Sequence, residues 1–225
     1  MEIKEIQGVK TIFIPAKVKD IDLSILKKLK IKEKRIGLVS AVQYVDYLEE
    51  VKKILEKNNY KVEIAGQMVG CNSSKAIKLK DKVDCFVFFG SGEFHPLELV
   101  NTTGIKKIYI VNPVSKTVSK FSEEELDKLT KKRQALIKKY LMADRIGVLV
   151  STKPGQNALK AALKFAKTCG KEAYVFMADE IDINGLENFN DIKIWVNTAC
   201  PRIESNNIIS LKDVMGNSLV NYHTY

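Results

Sequence analysis

The sequence is poor in the features that staple a chain, anchor it in lipid or read a base. Its four cysteines contain no CxxC pair, so a disulfide framework is disfavoured, and the thiols are expected to be buried or ligating. No apolar run reaches the roughly 18 residues of a membrane span. The opening MEIKEIQGVK lacks the apolar centre of a signal peptide. The expectation is a cytoplasmic protein with no membrane partner. No Ser-His-Asp arrangement, HExxH or Walker lysine loop is present, and there are only two histidines.

Arginine is scarce as well. Lys plus Arg total 37 against 27 for Asp plus Glu, a formal charge of +10, yet only Arg35, Arg133, Arg145 and Arg202 are arginine. Arginine is the residue suited to bidentate phosphate and base contacts, so its scarcity disfavours nucleic acid as a partner. The basic clusters are interrupted by apolar residues at helical spacing, which reads as a solvated lysine-rich surface.

What the sequence does contain is a repeated α/β pattern. Residues 11–15 (TIFIP) read as a short buried strand, and residues 22–29 as a helix with polar Asp22 near its start. Strands are expected at 35–40, 60–64, 83–89 and 107–111, the last closing the first half. A helix over 44–58 buries Val45, Leu48, Val51, Ile54 and Leu55 on one face, and a polar helix surrounds 74–79. RIGLVS at 35–40 returns as RIGVLV at 145–150, 110 residues later. A helix over 156–169 and strands over 172–177 and 192–197 follow it. Between the halves, 121–141 reads as one helix opened by a capping box at Ser122 to Glu125. The expected fold is therefore α/β: two tandem related domains, 1–120 and 121–225, with parallel sheets flanked by helices.

In such sheets ligands sit beyond the carboxyl ends of the strands, which selects four loops: AGQMVGC (65–71), GSGEFHP (90–96), STKPGQ (151–156) and TACPR (198–202). Cys85, inside an apolar strand, and Cys169, ending a helix, read as small buried hydrophobes. Cys71 and Cys200 lie in loops beside Gly or Pro, a weak metal signal from spacing alone. Gly90 and Gly92 permit close backbone approach to an anionic ligand, or simply make a strand-to-helix turn. His95 either titrates near a ligand or is a structural histidine. Gln156 stands at an expected helix start, where it caps the helix or exposes amides to an anion. Glu180, after Asp179, either meets a cationic group or begins the next helix.

RIGLVSAVQY, GQMVGC, FFGSGEFHPLELV, STKPGQ and WVNTACPRI resemble, in order, phrases of the diphthamide synthase family, from about residue 11 to 215. That resemblance implies three related α/β domains, each giving one cysteine to a [4Fe–4S] cluster. It implies a reaction in which S-adenosylmethionine, bound at the cluster's open iron, is reductively cleaved. The resulting 3-amino-3-carboxypropyl radical attacks a histidine of translation elongation factor 2. By likeness, Cys71 and Cys200 are the second and third cluster ligands. Gln43, Gly90, Gly92, His95, Gln156, Glu180 and Arg202 line the S-adenosylmethionine pocket. By charge, Arg202 suits the methionine carboxylate and Glu180 its ammonium.

The likeness begins at the family's second domain, so the third thiolate is expected from elsewhere, because a three-cysteine site is what leaves one iron free. The sources are a homo-oligomer or a hetero-oligomer with a first-domain-bearing paralogue; the alternative is a non-catalytic scaffold. A quinolinate-synthase-like enzyme and RNA attachment through the lysines are the remaining rivals.

Overall fold

A computed structural model describes the chain except residues 1, 7, 15, 69–72 and 217–225. It divides into two compact units, residues 1–122 and 123–225.

The first unit opens on an antiparallel hairpin, β1 (Glu2–Ile6) and β2 (Val9–Phe13). The expectation of a buried strand at 11–15 fails here, because Ile12 is 53% and Ile14 74% exposed. A hairpin of two strands has no sheet behind it to cover its faces. Next comes a 3-10 turn, Leu23–Lys28, where a longer helix was expected. The Asp22 carboxylate caps it by accepting from the Ser24 amide at 2.9 Å.

The core of this unit is a sheet of β3 (Arg35–Ser40), β4 (Lys61–Gln67), β5 (Cys85–Phe89), β6 (Ile108–Asn112) and β7 (Thr117–Lys120). Its spatial order is β4-β3-β5-β6-β7. The first four strands of that order are mutually parallel. β7 corrects the expectation that 107–111 is the last strand: it runs antiparallel to β6. The Asn112 side chain accepts from the Val114 and Ser115 amides and turns the chain.

Three helices connect the parallel strands: α1 (Leu48–Lys57), α2 (Ser74–Ile77) and α3 (Phe94–Thr103). α1 buries Leu48, Val51 and Leu55, opens on Glu49 and Glu50 and closes on Lys57, as the helix dipole favours. α2 is a single turn, shorter than expected.

The second unit begins with α4 (Glu123–Met142), whose first turn carries three glutamates. β8 (Arg145–Ser151), α5 (Leu159–Thr168), β9 (Glu172–Ala178), β10 (Trp195–Asn197), β11 (Ile208–Ser210) and α6 (Leu211–Met215) follow. All four strands are parallel, in the order β11-β10-β8-β9. β11 and α6 had no counterpart in the sequence reading. α5 starts three residues later than expected, because the Asn157 side chain accepts from the Leu159 amide. Gln156 therefore lies in the preceding turn and not at the helix start.

The two sheets share one plan. Numbered within each unit, the parallel strands lie in the order 2-1-3-4, with the switch point between the first and third strands. The repeated RIG phrase explains part of this. Gly37 pairs in register with Phe86, and Gly147 with Trp195. A Cβ on Gly37 would overlap the Phe86 ring, and one on Gly147 would overlap the Trp195 indole. The arginines repeat too: Arg35 binds Asp84, and Arg145 binds Glu172 and Asp191.

Gly37→Ala or Gly147→Ala is expected to destabilise the protein by roughly 1–3 kcal/mol, through overpacking against a buried ring. Thermal denaturation followed by circular dichroism checks this, and wild-type melting would contradict the contact's role.

Candidate functional site

Because each sheet is parallel, the loops after its strands emerge along one edge. In the first unit the switch-point crevice lies between the loops after β3 and β5. Gln43 occupies the 3-10 turn Val42–Tyr47 after β3 and is exposed. Its carbonyl accepts from the Val18 amide at 3.1 Å. Tyr44 beside it is buried and meets Phe89 edge-on.

Gly90 directly follows β5, is buried, and donates to the Val111 carbonyl at 2.9 Å. Gly92 is exposed at φ +79°, a conformation that suits glycine, with nothing packed over it. His95, in the first turn of α3, lies half-buried with its ring stacked on Phe88 at 5.6 Å and 13°. Ser40, the last residue of β3, is fully buried, and its hydroxyl has no partner among the described residues. An orphaned donor at a switch point is a polar group left over for a ligand or water.

Cys71 lies outside the described residues. The described flanks of its loop are tied down: the Met68 amide donates to the Ser40 carbonyl at 2.8 Å, and the buried Ser73 hydroxyl donates to Thr102 at 2.9 Å.

In the second unit the crevice lies between the loops after β8 and β10. Gln156 is half-buried in the first of these, its amide donating to the Lys153 carbonyl. Cys200 and Arg202 belong to the second; the thiol residue is half-buried and the arginine exposed. Glu180 follows β9 with its side chain 85% exposed and ion-paired to Lys153 at 2.8 Å. The Lys153 ammonium holds the Glu180 carboxyl below its ordinary range. Any cationic ligand group reaching Glu180 has to compete with that lysine.

The residue that organises the Cys200 loop is one the sequence reading did not single out. Asn197 is 4% exposed, and its amide donates to the carbonyls of Cys200 at 2.8 Å and Ile203 at 3.3 Å. Its side-chain oxygen accepts from the Ala199 amide at 2.8 Å. Thr198 adds two bonds, from its amide and its hydroxyl, to the Leu149 carbonyl of β8. The signal was available: an Asn-Thr pair ending a strand is the composition of a side-chain-closed turn.

The donor chemistry separates the cysteines. Burial, with the Glu33 and Asp84 charges nearby, pushes the Cys85 thiol up to about 12, so it stays protonated and unfit as a thiolate ligand. Cys169 follows α5 on the approach to β9, at the amino-terminal edge, with its sulfur against the Ala166 and Lys171 carbonyls. Of the described thiols, Cys200 alone stands at a carboxyl-edge loop and fits an iron–sulfur group. No cluster of three or more His, Cys, Asp or Glu is assembled among the described residues. A cavity of about 970 Å³ in the second unit lies at the opposite edge, by Lys139, Phe189, Trp195 and Asn207, away from Cys200.

Tandem 2-1-3-4 parallel units with polar residues and the Cys200 thiol at the carboxyl edge define a class of α/β proteins that bind ligands at strand ends. Comparison with known proteins narrows it. The family model for diphthamide synthesis proteins matches residues 1–209. The 2-(3-amino-3-carboxypropyl)histidine synthase of Pyrococcus horikoshii is 33% identical over 211 residues, covering 87% of this chain and 59% of the relative. That of Methanocaldococcus jannaschii is 30% identical over 219 residues, covering 91% and 58%. The crystal structure of Dph2 from Pyrococcus horikoshii with a 4Fe-4S cluster superimposes with a TM-score of 0.68 at 31% identity, covering 84% of this chain and 57% of that one. The chain belongs to the diphthamide synthesis protein family and spans about three-fifths of the length of these relatives. Among the described residues, no helix is long and apolar enough to cross a membrane.

Two outcomes are expected. Asn197→Asp sets a carboxylate against two carbonyl oxygens and should cost about 1–3 kcal/mol, with faster amide exchange over residues 199–203; unchanged exchange there would remove the clamp. At pH 8, iodoacetamide should leave Cys85 unmodified in the folded chain and label it in urea, as read by peptide mass spectrometry.

Proposed function

We propose that the chain serves the first step of diphthamide biosynthesis, transferring the 3-amino-3-carboxypropyl group of S-adenosylmethionine to a histidine of translation elongation factor 2. The observation that carries this reading is the Cys200 loop, a half-buried thiol fixed by Asn197 and Thr198 at a switch point, in a family whose relative holds a 4Fe-4S cluster. The two units are read as the family's second and third domains. Cys71 and Cys200 are assigned as ligands of a [4Fe–4S] cluster. When bound, that group supplies the electron that cleaves the sulfur–Cγ bond.

This chain's own residues bind and orient the cosubstrate. The open turn at Gly92 allows close backbone approach while the Gly90 amide ties the loop to Val111, and His95 and Gln43 border the same crevice. Arg202 presents a guanidinium fork to the methionine carboxylate. Glu180 receives the ammonium once Lys153 is displaced, and Gln156 lies on the loop that faces Cys200 across the second switch point. The chain is read as working in an oligomer, with a second copy or with a family paralogue; relatives named as subunit 1 of the synthase support working in complexes. The cell compartment consistent with an elongation-factor substrate is the cytoplasm.

Anaerobic iron and sulfide quantification, with electron paramagnetic resonance after reduction, tests the assignment. The chain co-expressed with a family paralogue is expected to carry a cluster that is lost in Cys71→Ala and in Cys200→Ala and kept in Cys85→Ala and Cys169→Ala. Full iron content in Cys200→Ala would overturn it. Iron-free protein that still binds the paralogue would favour the scaffold reading.

A further inference from the structure

The excess of positive charge has an address. In the first unit, the chain enters its four parallel strands through residues 28–35 (KLKIKEKR), 57–61 (KNNYK), 78–84 (KLKDKVD) and 104–107 (GIKK). Because β3 to β6 are parallel, these segments share one edge of the sheet, the one opposite Gln43, Gly90 and His95. They hold twelve basic and three acidic residues.

The second unit supplies an internal control, since it repeats the same strand order. Its equivalent segments of equal length are 138–145 (KKYLMADR), 168–172 (TCGKE), 188–194 (NFNDIKI) and 204–207 (ESNN), with five basic and four acidic residues. A general lysine-rich surface would charge both faces alike. Only one carries a large net charge.

Few of these cations are neutralised. Arg35 pairs with Asp84 and Lys107 with Glu33, whereas Lys30, Lys32, Lys80 and Lys82 are exposed and have no ion-pair partner among the described residues. Of the apolar residues in the same segments, Leu29, Ile31 and Val83 are buried and Leu79 and Ile105 are half-buried against the core, so no exposed apolar side chain is offered for insertion into lipid. Protein interfaces favour arginine and aromatics and are depleted in lysine. Here the one aromatic, Tyr60, is half-buried with its hydroxyl on the Ile31 carbonyl. That removes the stacking platform a single strand requires. What remains is a row of point charges, the chemistry that meets phosphates; the scarcity of arginine that disfavours nucleic acid bears on bidentate base contacts and leaves sequence-independent backbone contact open. With strands about 4.8 Å apart, four loops cover about 15 Å, the scale of a nucleic-acid groove.

We infer that the amino-terminal edge of the first unit is a docking face for the phosphate backbone of double-helical RNA, leaving the carboxyl-edge site free. The choice of RNA over DNA rests on the reading that the chain acts on a translation factor; the polyphosphate assignment rests on the charge alone.

Fluorescence anisotropy with the full chain and a labelled RNA duplex of about 20 base pairs tests the face and needs neither cluster nor cosubstrate, so its failure is separable from failure of the enzymatic reading. Binding should be tight at low salt and fall steeply as salt rises. Changing Lys30, Lys32, Lys80 and Lys82 to Gln should weaken it at least tenfold and flatten the log–log salt slope by about three. The same four changed to Arg should keep binding, which controls for folding. Changing Lys131, Lys138, Lys164 and Lys167 of the second unit to Gln should leave affinity within twofold. No binding at low salt, equal loss from both sets of glutamines, or tighter capture of a DNA duplex, oligouridylate or polyglutamate would each overturn the inference.

Discussion

A ring lying over a glycine sets the geometry of each unit. Phe86 over Gly37 and Trp195 over Gly147 bring together, in register, the two strands that flank the switch point. A side chain at either glycine would have to displace a buried aromatic. With the register fixed, the residues following β3 and β5, or β8 and β10, are forced to emerge side by side at the carboxyl edge. Everything chemical in this chain depends on that alignment. The loop of Gln43 emerges beside that of Gly90 and His95, and the loop of Gln156 beside that of Cys200, because the strands beneath them are held in register.

Much of this was legible in the residues. Continuous apolar runs announced β3, β5 and β8, since buried parallel strands need no alternation. The RIG repeat announced the duplication, and the structure extends it to strand order and to the arginines at 35 and 145. What was not legible has physical causes. The apolar run at 12–14 (IFI) resembles a core strand, yet it belongs to a two-stranded hairpin, and burial is decided by what lies behind a strand and not by its own composition. β11 is three residues long, below the length at which a pattern can be counted. β7 is short and polar, and only the Asn112 turn betrays it. The start of α5 was displaced because the Asn157 side chain closes a turn onto the Leu159 amide, leaving Gln156 in the loop before the helix.

The candidate site was legible in part, for a related reason. Loop position and residue type pointed to Cys200, Gly90, His95 and Arg202, and the fold sets each at a carboxyl edge of its own unit. The support for Cys200 was invisible to a search for reactive groups, because Asn197 and Thr198 act through backbone carbonyls. Glu180 illustrates the converse. Its charge suggested a ligand partner, and the structure gives it Lys153. Parallel strands also separate chemistry by edge: among the described residues the Cys200 thiol lies where a strand ends, and the lysines of the first unit gather where strands begin.

The enzymatic role proposed for this chain depends on Cys200 being an iron ligand. An anaerobic crystal structure of the reconstituted chain with its partner, phased with anomalous differences at the iron edge, tests this most directly. The predicted result is iron density bonded to the Cys200 sulfur, with the Cys71 sulfur on the same cluster and the Asn197 bonds intact. Iron bound elsewhere, with the Cys200 sulfur uncoordinated in a fully loaded protein, would contradict it.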